Sequence, residues 1–254
     1  ASVDMPRARS MEAGGSVAIT HDFSAGTNSV YLPLLDKGNS GWDSWFTVQN
    51  TGSSDATVTI TYGDCVGNQP LPVTIKPNAS KSFYQAAEAC HTTKIFPATI
   101  TSTQPIAAVV LRETTAVMTA YSGFGAAATK PVMPLINSNN GGILTGVNIF
   151  NQSATETVVT VSYTPSMAGT ACTEQQTIPG NSMKTFALFA FARDNAGEDC
   201  ANGVKFIGAG AVTANSANAP LTSVITQFTS VDGAMYGGFD PATATSKVVY
   251  PTIF

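Results

Sequence analysis

Val58-Thr59-Ile60-Thr61-Tyr62 returns 101 residues later as Val159-Thr160-Val161-Ser162-Tyr163. Each stretch alternates apolar and hydroxyl-bearing residues, the period of two that marks a strand with one face buried and the other toward water. At the same offset Val30-Tyr31-Leu32-Pro33-Leu34-Leu35 returns as Pro131-Val132-Met133-Pro134-Leu135-Ile136, and Phe46-Thr47-Val48-Gln49-Asn50 as Val147-Asn148-Ile149-Phe150-Asn151. Farther along, the offset grows as loops of the second copy lengthen. Lys81-Ser82-Phe83 matches Lys184-Thr185-Phe186, Pro105-Ile106 matches Pro220-Leu221, and Tyr121-Ser122-Gly123-Phe124 matches Tyr236-Gly237-Gly238-Phe239. The chain therefore reads as a duplicated unit, with copy one over residues 30–130, copy two over 131–254, and an N-terminal extension over 1–29.

Each copy carries seven or eight short Val/Ile/Thr/Phe-rich segments separated by Gly, Asn, Pro and Ser. Helical periodicity is confined to short turns near 86–90 and 195–200. About 100 residues with that many strands predicts an immunoglobulin-like β-sandwich. The expected fold is all-β: two tandem Ig-like β-sandwich domains, each with one intradomain disulfide, preceded by an extended N-terminal arm.

The four cysteines obey the repeat. Cys65 and Cys172 follow the tyrosine-ended strand, and Cys90 and Cys200 follow the strand opened by Lys-Ser/Thr-Phe. Of the three possible connectivities, only Cys65 with Cys90 and Cys172 with Cys200 preserves the duplication. No Cys-x-x-Cys pair points to zinc or to a redox motif. Structural disulfides, few lysines and many hydroxyl residues lead to the expectation of a secreted, cell-surface protein. The chain opens at Ala1 without a basic and apolar stretch, so the expectation is a mature form from which any signal peptide has been removed.

The resemblance is to the tandem Ig-like modules of bacterial surface-layer, adhesin and filament proteins, over residues 30–254. It is carried by Tyr31-Leu32-Pro33-Leu34 and Val132-Met133-Pro134-Leu135, by the strand ends Asn50 and Asn151, by the paired cysteines and by the Tyr-x-Gly-Phe motifs. Such modules act as structural or adhesive building blocks, so the resemblance implies a structural or adhesive role.

Composition narrows the partners. Only 11% of residues are charged and the formal net charge is −4, with 12 Lys+Arg against 16 Asp+Glu. An ordinary soluble domain carries about a quarter charged residues. A basic field for nucleic acid is missing, and no apolar run reaches the length of a membrane-spanning helix.

A search for chemistry returns no catalytic residue, metal site or cofactor motif. Only two histidines, His21 and His91, could serve a nucleophile as base. Ser40 lies in a Gly/Asn turn with no Gly-x-Ser-x-Gly context. Asp36, Asn39 and Asp43 share a loop rich in oxygen ligands, but the spacing fails the calcium-loop pattern and copy two has asparagines there. Trp42 and Trp45 are the candidates for a sugar platform. Asn78 and Asn151 head glycosylation sequons.

The ends suggest polymerisation. The last residues, Tyr250-Pro251-Thr252-Ile253, repeat the opening strand motif once more, and Val17-Ala18-Ile19 is the strand-like stretch of the extension. Donation of such a strand to a neighbour's sheet edge is an open contact that propagates into a fibre. The expected assembly residues are Val17, Ala18 and Ile19, then Tyr250, Ile253 and Phe254. Phe189 and Phe191 join them if exposed, the other reading being that they pack under their own loop. The expected function is a structural subunit of an extracellular filament or surface layer, with the chain itself as partner; the alternative is a monomeric adhesin or carbohydrate-binding module with glycans as partners.

Overall fold

The computed structural model describes residues 26–187, 189–191 and 199–244. Within them the chain is all-β, with fifteen strands and two single turns of 3-10 helix at Gln85–Ala87 and Pro241–Thr243. Copy one contributes β1 (Thr27–Asp36), β2 (Asp43–Asn50), β3 (Ala56–Tyr62), β4 (Val73–Ile75), β5 (Ser80–Tyr84), β6 (Ile95–Glu113) and β7 (Met118–Ser122). Copy two contributes β8 (Val132–Ser138), β9 (Leu144–Asn151), β10 (Thr157–Ala168), β11 (Cys172–Ile178), β12 (Ser182–Phe186), β13 (Phe206–Ala214), β14 (Leu221–Phe228) and β15 (Gly233–Gly237). The stretch that opened the reading is β3. Its residues alternate buried and open along its whole length, as a period of two requires.

Strand pairing repeats between the copies. In copy two, one sheet runs β11-β10-β13-β8 and another β12-β9-β14-β15. In copy one the same neighbours occur, but a single 19-residue strand, β6, takes the place of β13 and β14. Its first half pairs β1 and β3, and its second half pairs β2 and β7. The join runs through Pro105, where copy two breaks its strand before Pro220. Seven strands thereby form one continuous, partly barrel-like sheet.

Each copy gathers its strands around one apolar core. Leu32, Ile60, Tyr62 and Ile100 meet Phe46, Val48, Phe83 and Val110 in copy one. Met133, Val161, Tyr163 and Phe206 meet Val147, Ile149, Phe186 and Ile225 in copy two. The expected disulfides are present, Cys65 with Cys90 and Cys172 with Cys200, with Cα separations of 5.1 and 4.9 Å.

Turn chemistry repeats as well. The buried side chains of Asn50 and Asn151 each close the loop after their strand. Asn50 Nδ2 donates to the carbonyls of Ser54 and Ile75, and its Oδ1 accepts from Gly52 N–H. Asn151 Nδ2 donates to Thr155, Ile178 and Pro179, and its Oδ1 accepts from Ser153 N–H. Satisfying so many backbone groups from one amide is what makes a buried asparagine affordable at these positions.

The copies part company in β9. In β2 the outward residues Trp45, Thr47 and Gln49 stay open or half-buried between buried Phe46, Val48 and Asn50. In β9 burial is nearly continuous. Gly146, Asn148 and Phe150, the counterparts of Trp45, Thr47 and Gln49, are buried because copy one lies on that face. A third apolar cluster marks the seam, with Leu34, Phe150 and Met183 at its centre and Tyr31, Ile95 and Met235 around them. Val224 of β14 goes further and packs within the core of copy one.

Candidate functional site: the seam and the uncovered corner

A tyrosine braces the first strand of each copy. Tyr121 donates its hydroxyl to the Leu34 carbonyl at 2.7 Å and accepts from the Leu34 N–H at 3.2 Å. Tyr236 does the same for Leu135, accepting its N–H at 3.3 Å and donating to its carbonyl. Beside each tyrosine, the phenylalanine of the same motif bridges the strand's start, Phe124 to Tyr31 and Phe239 to Val132. The motifs Tyr121-Ser122-Gly123-Phe124 and Tyr236-Gly237-Gly238-Phe239 thus build the same corner twice.

Among the described residues, only one of the two corners is covered. In copy one Leu34 is buried and Phe124 lies against β15, so close that a Cβ added at Gly237 would stand 2.8 Å from the Phe124 ring. Thr119 adds a hydrogen bond to the Met235 sulfur. In copy two the equivalent Leu135 is 45% exposed and Phe239 55% exposed. The two rings Tyr236 and Phe239 stack with their centroids 6.4 Å apart. Burial shifts both tyrosines toward the neutral phenol: Tyr236 is pushed up to about 12, and the wholly enclosed Tyr121 further still.

The seam contains a charged centre that copy two lacks. Arg112 makes a two-pronged ion pair with Asp36, with Nε 2.5 Å from Oδ2 and Nη2 3.1 Å from Oδ1, and both side chains are buried. The guanidinium lies 4.0 Å from the centre of the Trp42 ring. Asn39 donates to the same carboxylate. Arg112, Trp42 and Asn39 line a cleft of about 270 Å³ whose other wall is Gly146, Asn148, Ala187 and Thr226 of copy two. At the matching positions copy two has Asn137 for Asp36, Gln227 for Arg112 and Ile143 for Trp42.

A second polar cluster sits behind the Cys65–Cys90 bridge. His91 Nδ1 is 3.0 Å from Asp64 Oδ1, and Nε2 is 3.2 Å from Gln85 Oε1. Its ring stacks on Phe96 at 3.7 Å. Asp64 also accepts from the N–H groups of Thr92 and Thr93. The His91 side chain has no solvent exposure, so this dyad organises the disulfide loop and offers no base to a substrate.

Several expectations change. Trp42 is 8% exposed, sealed by Arg112, and so presents no sugar platform. The aromatic surface falls instead to Trp45, stacked on Tyr84 at 5.6 Å. Phe189, expected to join the assembly residues if exposed, is instead buried against Tyr163 and Phe206 and presents no contact surface. Phe191 is 59% exposed at the mouth of the seam cleft. Asn151 cannot carry a glycan in the folded chain, because its amide is fully buried and spent on three carbonyls. Asn78 stands exposed in a turn. The Asp36 carboxylate is held by Arg112 and Asn39, and Asp43 caps the Gly38 N–H. Val17, Ala18, Ile19, Tyr250, Ile253 and Phe254 lie outside the described residues.

No match to this chain is found among protein families, curated proteins or solved structures.

The uncovered corner and the Arg112 cluster escaped the sequence reading. The signal for both was available in the aligned copies. Polar identities that differ between otherwise matched positions, Asp36 against Asn137 and Arg112 against Gln227, mark where one copy meets something the other does not.

Proposed function

We propose that this chain is a non-catalytic structural subunit of an extracellular assembly. Residues 30–130 and 131–254 form two Ig-like β-sandwich units, each clamped by its disulfide, and their role is to join head to tail with further chains. The observation that carries this reading is the corner of Leu135, Tyr236 and Phe239, open among the described residues, although in copy one Leu34 and Tyr121 are buried and Phe124 lies half-buried against the next unit. Exposed apolar patches of this kind mark interaction surfaces. The buried state of the Asp36–Arg112 and Asp64–His91 pairs supports a structural use of the chain's best-formed polar clusters. Two disulfides and the lack, among the described residues, of a helix long and apolar enough to cross a membrane are compatible with secretion.

Negative-stain imaging of the full-length native protein tests the proposal: polymers are expected, and particles that stay monomeric at every concentration refute it. Deleting residues 1–29 then separates strand exchange through the extension, which the deletion abolishes, from association through folded surfaces, which survives it.

One observation favours a second reading. The stacked, half-buried Trp45 and Tyr84 rings form an aromatic surface of the kind that packs on sugar faces. A glycan-array signal lost on Trp45→Ala, from a protein that remains monomeric, would establish a carbohydrate-binding module instead.

A further inference from the structure

The molecule contains one worked example of how a copy docks onto the next. The corner of copy one, Leu34, Trp42, Arg112 and Phe124, sits on the outer face of the β12-β9-β14-β15 sheet of copy two. Among the described residues, two surfaces are left over. One is the same corner on copy two, and the other is the same sheet face on copy one, where β5, β2, β6 and β7 expose Trp45 and Tyr84. Resting on the reading above that the chain assembles with itself, we infer that the copy-two corner of one chain docks on the β2/β5 face of another, repeating between chains the contact made within the chain.

The side chains at matched positions carry the inference. Strand registers align Trp45 with Gly146, because Trp45 pairs Leu111 as Gly146 pairs Thr226. They also place Tyr84 at the position of Ala187, next to Phe83 as Ala187 is next to Phe186. Within the chain, then, a bulky corner bearing Trp42 and Arg112 meets a face trimmed to Gly146 and Ala187. On the unused surfaces the bulk changes sides: the corner has Ile143 and Gln227, and the face has Trp45 and Tyr84. A shared contact volume filled from one side in one joint and from the other side in the next is what close packing of a repeated interface demands.

Charge follows the same rule. The Asp36–Arg112 pair is internally neutralised in the covered corner, and its replacement by Asn137 and Gln227 takes that pair out of the open corner, which meets a face of Trp45, Tyr84, Thr47 and Ser82 with Asp43 and Glu113 at its end. Trp and Tyr are the usual anchors of such contacts. The contact joins two different surfaces, so it does not close on itself and leaves a corner and a face free at the two ends of any oligomer.

Two surface substitutions test this in the full-length chain. Phe239→Asp disables the corner and Trp45→Asp disables the face; both side chains reach solvent, and circular dichroism with disulfide mapping verifies folding. Each variant alone is expected to elute as a monomer under conditions where the native chain assembles. Their equimolar mixture is expected to form a heterodimer and stop there, since one intact corner meets one intact face. Variants that assemble like the native chain overturn the inference while leaving the structural-subunit reading in place. Trp45→Asp that still dimerises alone, while Phe239→Asp stays monomeric, points to corner-on-corner pairing and overturns it, and a mixture that stays monomeric overturns it as well. Assembly that appears only after residues 245–254 are deleted places the chain's own end on the corner and overturns it too. A native chain that never assembles removes the structural-subunit reading itself.

Discussion

Arg112 grips Asp36 by two nitrogens while its flat face lies on Trp42, in the seam where copy one is pressed against copy two. A buried ion pair gains little over an apolar substitute, but removing one partner strands the other. Arg112→Gln is therefore expected to cost about 3–5 kcal/mol, because the Asp36 carboxylate is left buried and unpaired. Asp36→Asn combined with Arg112→Gln installs the residues that copy two already uses at 137 and 227, and should recover most of that loss. Urea unfolding of the two single variants and the double variant gives the cycle. Losses that simply add would show that the two side chains act independently.

Alkaline pH should loosen the corners. Tyr236 has its folded value pushed up to about 12 by burial, against 10.0 for a free phenol, and Tyr62 and Tyr121 are pushed further up by the same cause. Between these values the folded chain holds protons that the unfolded chain releases, so stability falls as pH rises. The contribution of Tyr236 is complete below pH 10 and is lost progressively toward pH 12. Tyrosinate absorbance should rise in step with unfolding above pH 10, and Tyr236→Phe should flatten the first part of that loss. A phenol titration complete near pH 10 in the folded protein would contradict this.

Strand positions, the disulfide partners and the duplicated corner motif were all legible in one sequence, because each depends on local period or on matched spacing. β3 alternates as Val58-Thr59-Ile60-Thr61-Tyr62 said it would. The fusion of β13 and β14 equivalents into β6 was not legible: Pro105 and Pro220 look alike in sequence, and only the surrounding pairing lets the chain run straight past one of them. Burial of Trp42 was hidden for a different reason. Its cover is the guanidinium of Arg112, seventy residues away in a different strand, and no local pattern reports such a contact. Phe150 stands at the position that the solvent-facing Gln49 holds in copy one, and only docking of copy one buries it.

The Cys65–Cys90 bridge closes a separation of 25 residues. Chain entropy assigns such a loop about 3 kcal/mol. Cys65→Ser with Cys90→Ser should lower the midpoint of thermal unfolding by about 2–4 °C per kcal/mol lost, without altering the other bridge. The loss should exceed that for opening Cys172–Cys200, because Asp64 and His91 are positioned by the first loop and lose their partners with it. Calorimetry of the two double-serine variants decides the order, and a larger loss for the second bridge would remove the Asp64–His91 cluster from the account of stability.

Phe150 and Gln49 occupy the same place in the two copies, one at the seam and 1% exposed, the other facing solvent. Truncating a buried phenylalanine costs about 3–5 kcal/mol, as lost transfer energy plus the cavity left behind. Phe150→Ala should therefore destabilise strongly, since Leu34 and Met183 lose their shared neighbour and the ring of Tyr31, 6.4 Å away, loses its partner. Gln49→Ala should stay within about 0.5 kcal/mol of the native protein when the chain is dilute and monomeric. Equal effects from the two substitutions would mean that the seam adds nothing to stability. If Phe150→Ala also splits a single unfolding transition into two, the seam is what couples the copies.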